Sequence, residues 1–177
     1  MTKVLAIGAS NNPKSINHIL VKSAASLLKK SEVEVVTLLD FPAPLFSVVD
    51  EQKNGSPESI LKLKKLINES DGIILSSPEY NSSVPSPFKS TVDWLSKLDG
   101  KIFGGKPLLL MSAAPGRRGG ASVLAHLAEV MPFWGADIRG VFSMPLFKDN
   151  VNLNGEIVNV EKLTELEKLV SEFEEVF

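Results

Sequence analysis

Apolar residues along the chain fall into short continuous runs that end at Gly, Pro, Ser or Asp. Runs of this length that are bounded by turn-forming residues are typical of β-strands buried on both faces. The first run begins at Val4 and the third ends at Ser76. The predicted strands cover residues 4–9, 33–39, 72–76, 107–113 and 138–144.

Between these runs, apolar residues recur at intervals of three and four, which is the spacing of one helix face. Ser56 precedes Pro57 and is predicted to cap the second helix, and Lys29-Lys30 are predicted to close the last turn of the first. The predicted helices cover residues 15–30, 56–67, 86–98, 121–133 and 163–177. Asn154-Gly155 also indicates a small hairpin within residues 150–159.

The alternation of strands and helices predicts an α/β fold with a doubly wound, five-stranded parallel sheet and helices on both faces. We find no internal repeat, linker or second apolar core, so residues 1–177 are expected to form a single domain. Ligands in such sheets bind outside the carboxyl ends of the strands, at the point where the strand order reverses. The loops after strands one, three and four are therefore the candidate site.

Composition excludes several functional classes. The 177 residues carry a formal net charge of −2, so the chain lacks the positive field that attracts nucleic acid or anionic membranes. Without cysteine there is no disulfide, thiol redox chemistry or cysteine-ligated metal, and two histidines assemble neither a metal site nor a Ser-His-Asp triad. The first apolar run stops at Gly8, too early for a signal sequence or a membrane span, so the expected location is the cytoplasm.

The loop after strand one has the features of an anion-binding site. It runs from Gly8 to Asn17 with short polar side chains and leads into a helix. A helix start offers unpaired N–H groups and the positive end of the helix dipole, and Ser10, Ser15 and Asn17 are expected to donate to phosphate oxygens. The alternative is that Ser15 only caps the helix. The loop contains neither a Walker motif nor the G-x-G-x-x-G of dinucleotide folds.

The loops after strands three and four add a rigid surface and a glycine-rich segment. Pro78-Glu79-Tyr80-Asn81 is followed by Pro85 and Pro87, so this loop is expected to be stiff enough to support a planar ring. Strand four leads into Ser112 and Gly116, whose small size leaves main-chain N–H groups free to meet the polar edge of a heterocycle.

Taken together, these motifs resemble the NADPH-dependent FMN reductase-like family of the flavodoxin-like fold, along nearly the whole chain. The most specific part is the P-E-Y-N segment at residues 78–81. The resemblance implies FMN with its phosphate on Ser10, Ser15, the Ile16 N–H and Asn17. It implies a ring lying against Pro78, Glu79, Tyr80 and Asn81 and flanked by Ser112 and Gly116. The chain departs from the family pattern at Asn12, where many relatives carry Arg.

The resemblance also implies a function, in which NADPH or NADH passes hydride through FMN to quinones, azo compounds or similar small acceptors. The cofactor carries the chemistry, so no catalytic acid, base or metal ligand is expected from the protein. A homodimer or homotetramer is implied, with the helix at residues 86–98 as a contact. Arg117 and Arg118 are candidates for the 2′-phosphate of NADPH or for solvated charges, while His18 is expected to face solvent. The alternatives are a flavodoxin-type electron carrier without NAD(P)H turnover and a non-catalytic sensing module.

Overall fold

A computed structural model describes all residues 1–177, and its centre is one five-stranded sheet. The strands are β1 (Lys3–Gly8), β2 (Glu32–Thr37), β3 (Gly72–Ser76), β4 (Pro107–Ala113) and β5 (Asp137–Met144). All neighbouring pairs are parallel, in the order β2-β1-β3-β4-β5. The order reverses between β1 and β3, so the switch point lies where these two strands end. The predicted doubly wound α/β fold is confirmed.

Helices cover both faces of the sheet. They are α1 (Ile16–Ser26), α2 (Val48–Asn54), α3 (Glu58–Glu69), α4 (Ser86–Leu98), α5 (Ala121–Val130), α6 (Phe147–Asn150) and α7 (Val160–Glu174). One apolar cluster packs α3, α4 and α5 against one face, and a second packs α1 and α7 against the other. Trp94 lies in the first cluster at 1% exposure.

Several element boundaries differ from the sequence prediction. Helix α1 ends at Ser26, because the main chain at Lys29 and Lys30 leaves the helix and donates instead to the carboxylate of Glu174. Strand β2 ends at Thr37, whose side chain and main chain form a capping box with Asp40 around a single 3₁₀ turn. These ends depend on contacts that hydrophobic spacing does not encode.

Two short helices were not predicted, and one predicted cap is absent. Helix α2 has no buried residue, so it has no apolar periodicity to reveal it, and α6 is only four residues long. Helix α3 begins after Pro57 without a side-chain cap, so the prediction for Ser56 was wrong. The predicted hairpin reduces to one bridge, between Val151 and Ile157.

Candidate active site at the carboxyl ends of the strands

The loop after β1 leads into the start of α1, where Ser15 is the N-cap. Its Oγ accepts a hydrogen bond from the Asn17 N–H at 3.3 Å, so the cap that the sequence offered as the alternative to a phosphate contact exists. The N–H of Ile16, the first in the helix, makes no hydrogen bond within the protein. Ser10 and Ser15 are 1% and 7% exposed, so their hydroxyls lie beneath the surface of the loop. The start of α1 therefore presents a free main-chain donor supported by the helix dipole.

Asn17 has a different role from the one that the sequence suggested. Its Oδ1 accepts from the Ala113 N–H and from the Ser76 hydroxyl, each at 2.8 Å, and its Nδ2 donates to the Ala113 carbonyl at 3.0 Å. The side chain thus ties the start of α1 to the ends of β3 and β4. One of the two Nδ2 hydrogens and both bonds to Oδ1 are thus used within the protein, and the main-chain N–H is bonded to Ser15 Oγ.

His18 is buried at 7% exposure, so the prediction that it faces solvent was wrong. Its Nε2 lies 3.0 Å from the Ser10 carbonyl oxygen, and because a carbonyl only accepts, Nε2 carries the proton. The ring also explains Gly8, since a Cβ there would lie 2.5 Å from His18 Cδ2. His18 therefore supports the loop after β1 from below. A single histidine on a helix does not indicate such a role in the sequence.

The loop after β3 is a tight reversal at the surface. Tyr80 and Ser83 exchange main-chain hydrogen bonds at 3.0 and 3.1 Å. Between them Asn81 and Ser82 adopt the left-handed backbone region, with φ of 52° and 63°. Pro78 is buried, whereas the Tyr80 side chain is 44% exposed. The reversal thus presents a half-exposed aromatic ring next to a strained turn, and strain of this kind is frequent at functional sites.

Glu79 does not extend into the open site. Its Oε2 accepts a hydrogen bond from the Val123 N–H at 3.0 Å, in the first turn of α5. The carboxylate therefore caps a helix that follows a different strand, and it links the loop after β3 to the loop after β4.

The loop after β4 has an open part and a closed part. A Cβ added at Gly116 would meet no atom within 4 Å, so the main chain there is accessible to a ligand. Ser112, in contrast, is fully buried, and its Oγ has no hydrogen-bond partner. A side chain on Gly120 would collide with that hydroxyl, and Gly120 has a φ of +78°. Ser112 was expected to flank the ring, but its side chain lies beneath the loop.

The two arginines of this loop differ in their contacts. The Nη2 of Arg118 donates to the Ser122 hydroxyl at 2.6 Å, on the first turn of α5. Arg117 is exposed and makes no hydrogen bond or ion pair. Of the two guanidinium groups, that of Arg117 remains free to meet a phosphate.

The three loops meet because β1, β3 and β4 are neighbours and their ends are bonded to one another. Ala9 N donates to Ser76 O at 2.8 Å, and Ser77 N donates to Met111 O at 2.9 Å. The shared edge combines a free helix-start donor, a half-exposed tyrosine and an open glycine. These features fit FMN, which has a phosphate at one end and a flat polar-edged ring at the other.

Two surface clefts differ in their position relative to the three loops. A cleft of about 390 Å³ opens beside Asn11, between the segment after β2 and the start of α4. A larger groove, between α1 and the 153–157 turn, lies away from the three loops. No three His, Asp or Glu side chains are grouped so as to hold a metal ion. None of the helices has the length and apolar character needed to span a membrane.

Comparison with known proteins agrees with this geometry. The model of the family described as NADPH-dependent FMN reductase matches residues 2–148. The chain belongs to this family. It is 33% identical over 138 residues to the quinone reductase of Escherichia coli (strain K12), covering 75% of this chain and 72% of that protein. It is 27% identical over 163 residues to the 2-hydroxy-1,4-benzoquinone reductase of Burkholderia sp, covering 90% of this chain and 85% of that protein.

A solved structure extends the likeness to the whole chain. FerB, a flavoenzyme NAD(P)H:(acceptor) oxidoreductase from Paracoccus denitrificans, matches with a TM-score of 0.80 and 27% identity, covering 98% of this chain and 95% of that one. Together with family membership, this confirms an FMN-dependent NAD(P)H oxidoreductase of flavodoxin-like fold.

Proposed function

We propose that this member of the FMN reductase family uses NAD(P)H to reduce small acceptors of the quinone class, with FMN bound across the three loops described above. The observation that carries the proposal is the meeting, at one edge of the sheet, of the unpaired Ile16 N–H, the exposed Tyr80 and the open main chain at Gly116. Bound there, FMN supplies the chemistry: it accepts hydride from the nicotinamide and passes two electrons to the acceptor.

The residues that would hold the phosphate end lie at the start of α1. The Ile16 N–H and the helix dipole would attract the phosphate dianion of FMN. The Ser10 and Ser15 hydroxyls could each donate a hydrogen bond to it after a small opening of the loop. Lys14 is exposed and is the only cationic side chain between Gly8 and Asn17. It takes part of the role of the arginine that many relatives carry at position 12. The Asn17 side chain keeps the loop in place from below.

The residues that would hold the ring lie on the other two loops. Pro78, Tyr80 and Asn81 form one boundary and the main chain at Gly116 the other, and N–H groups of this segment stabilise negative charge at the polar edge of the ring. Because the cofactor carries the chemistry, no side chain needs to act as an acid or base. Arg117 is the proposed contact for the 2′-phosphate of NADPH.

Quinones are the proposed acceptor class because two relatives carry quinone reductase names. The exposed Tyr80 and the open main chain at Gly116 would leave a bound ring accessible to flat acceptors from solvent.

An anaerobic titration tests the proposal. Purified protein is given FMN, then NADPH, then a benzoquinone, and the flavin absorbance near its visible maximum is followed, with a protein-free mixture as control. We expect protein-dependent bleaching by NADPH and recovery on addition of quinone. Binding of FMN without bleaching would instead identify an electron carrier, and bleaching without recovery would exclude quinones as acceptors.

Oligomeric state and location belong to the same proposal. We propose a homodimer or homotetramer in which the surface around α2 and α4 is covered, because Leu45 and Val49 are 76% and 71% exposed there. Phe46 packs edge-on against Trp94 of α4 at 5.0 Å, so this segment is fixed against the helix rather than detached. The proposed location is the cytoplasm, where reduced nicotinamide is available.

A further inference from the structure

We propose that Glu79 is a positioning residue, which joins the two loops that bound the flavin ring and so sets the distance between them. The inference rests on the proposed function, since it concerns the same site. Among residues 78–84, the bond from Val123 N to Glu79 Oε2 is the only hydrogen bond to another element of the fold. All other hydrogen bonds of this segment are formed within it or with Ser77.

The partner of Glu79 is well suited to hold a carboxylate. Val123 N is one of the first N–H groups of α5, which have no acceptor within the helix, and the helix dipole adds to the attraction. The N-cap of α5 is Gly120, which has no side chain to cap the helix itself. Glu79 therefore supplies from a distant loop the cap that the local sequence lacks.

The opposite boundary of the ring site is already fixed by other bonds. Gly116 O accepts from Leu146 N at 3.1 Å, and Gly119 O accepts from the Ser143 hydroxyl at 2.9 Å, so the loop after β4 is held to β5 and the segment after it. The reversal at Tyr80 has no hydrogen bond to another element except the one through Glu79. Because Asn81 and Ser82 are strained, a released reversal would relax and move the boundary that Tyr80 forms.

The charge of Glu79 has a further consequence for the flavin. No lysine or arginine pairs with this carboxylate, so the start of α5 is the group that balances it. A negative charge next to the ring site opposes the gain of electrons by a bound flavin. Neutralising Glu79 should therefore raise the flavin midpoint potential even where the hydrogen bond is kept.

Three variants test the inference. Glu79→Gln keeps an oxygen acceptor and removes the charge, Glu79→Ala removes both, and Glu129→Gln is the matched control, since Glu129 is exposed at the other end of α5 with no hydrogen bond. The measurements are the hydrogen exchange of the Val123 amide in protein without flavin, the FMN dissociation constant and the midpoint potential.

We expect faster Val123 exchange and about tenfold weaker FMN binding in Glu79→Ala, which corresponds to losing one hydrogen bond to a charged group. Glu79→Gln should bind FMN within about threefold of the unaltered protein, with a higher midpoint potential. The control should match the unaltered protein in all three measurements.

The outcomes separate the inference from the proposed function. If the unaltered protein binds no FMN, the proposed function fails. The link between the loops would still be shown if the Val123 amide is protected from exchange in the unaltered protein and loses that protection in Glu79→Ala. If FMN binds but Glu79→Ala leaves Val123 exchange and FMN affinity unchanged, the positioning role is overturned. Should Glu79→Ala not fold, a Val123 amide without protection from exchange in the unaltered protein would overturn the positioning role. An unchanged midpoint potential in Glu79→Gln would overturn the proposed effect of the charge.

Discussion

Single polar side chains near the candidate site form hydrogen bonds mainly to other groups of the protein. Asn17 joins three elements, His18 supports the carbonyl of Ser10, and Glu79 caps α5. The motif alone predicts that Asn17 and Glu79 contact the ligand and that His18 faces solvent. In the structure they fix the main chain, and the main chain presents the donors. This division of roles suits a site that binds a phosphate by N–H groups.

Replacing Asn17 by Ala should lower the free energy of unfolding by about 2–4 kcal/mol, because it leaves the Ser76 hydroxyl and the main chain of Ala113 buried without partners. Urea denaturation measures the change. Asn11→Ala is the control, since Asn11 is exposed in the same loop and its side chain makes no hydrogen bond; its effect should stay within about 0.5 kcal/mol. Equal stability of the two variants would contradict the bridging role.

Helices α1 and α7 are joined through one carboxylate. Glu174 accepts from Lys29 N, Lys30 N and the Ser31 hydroxyl, each at 2.9 Å, where the chain leaves α1. Burial alone raises the pKa of Glu174, but the hydrogen bonds from Lys29, Lys30 and Ser31 outweigh it and hold the pKa below the usual 4.5. The last helix is thereby attached to the end of the first.

This shift makes stability depend on pH in a defined direction. Because the folded-state pKa of Glu174 lies below the unfolded value, its contribution is complete above about pH 5 and is lost as the pH falls through the folded-state pKa. The difference in unfolding free energy between the unaltered protein and Glu174→Gln should therefore shrink as the pH is lowered below 4.5. Urea denaturation between pH 7 and about pH 3 measures it. Glu175→Gln, which changes an exposed neighbour, should show no such trend.

At the scale of the whole molecule, the surface around α2 leaves a group of apolar side chains exposed. Helix α2 lies on the outside with no buried residue, next to the exposed Leu45 and Val49. Apolar groups grouped in this way are common at contacts between subunits. The proposed oligomer would cover them.

Replacing Leu45 and Val49 together by Glu should dissociate the oligomer, because it places two charges in an apolar contact. Light scattering with size-exclusion chromatography measures the mass, which we expect to fall to that of one chain. The control is Val160→Glu, since Val160 is 75% exposed on α7 at the other face of the sheet. An unaltered protein that is already monomeric would refute the oligomer, and an unchanged mass in the double variant would refute this surface as the contact.

Local pattern was sufficient for the five strands, the longer helices and the edge of the sheet that holds the site. The reason is that hydrophobic spacing and turn residues act over a few positions, and the order of elements then limits the topology. The N-cap at Ser15, which the sequence offered only as the alternative to a phosphate contact, is present in the structure. The short α2 and α6 carried no such signal, since neither presents a regular apolar face.

The partners of the polar side chains followed from the packing of the chain as a whole. Asn17 bonds to a residue 96 positions away and Glu79 to one 44 positions away, so no local window contains both members of either pair. The same is true of His18 and Ser112, whose burial depends on which loops lie over them. Motif and spacing predicted which loops form the candidate site, and the assembly of neighbouring strand ends determined which of their side chains are open to solvent and which are bonded within the protein.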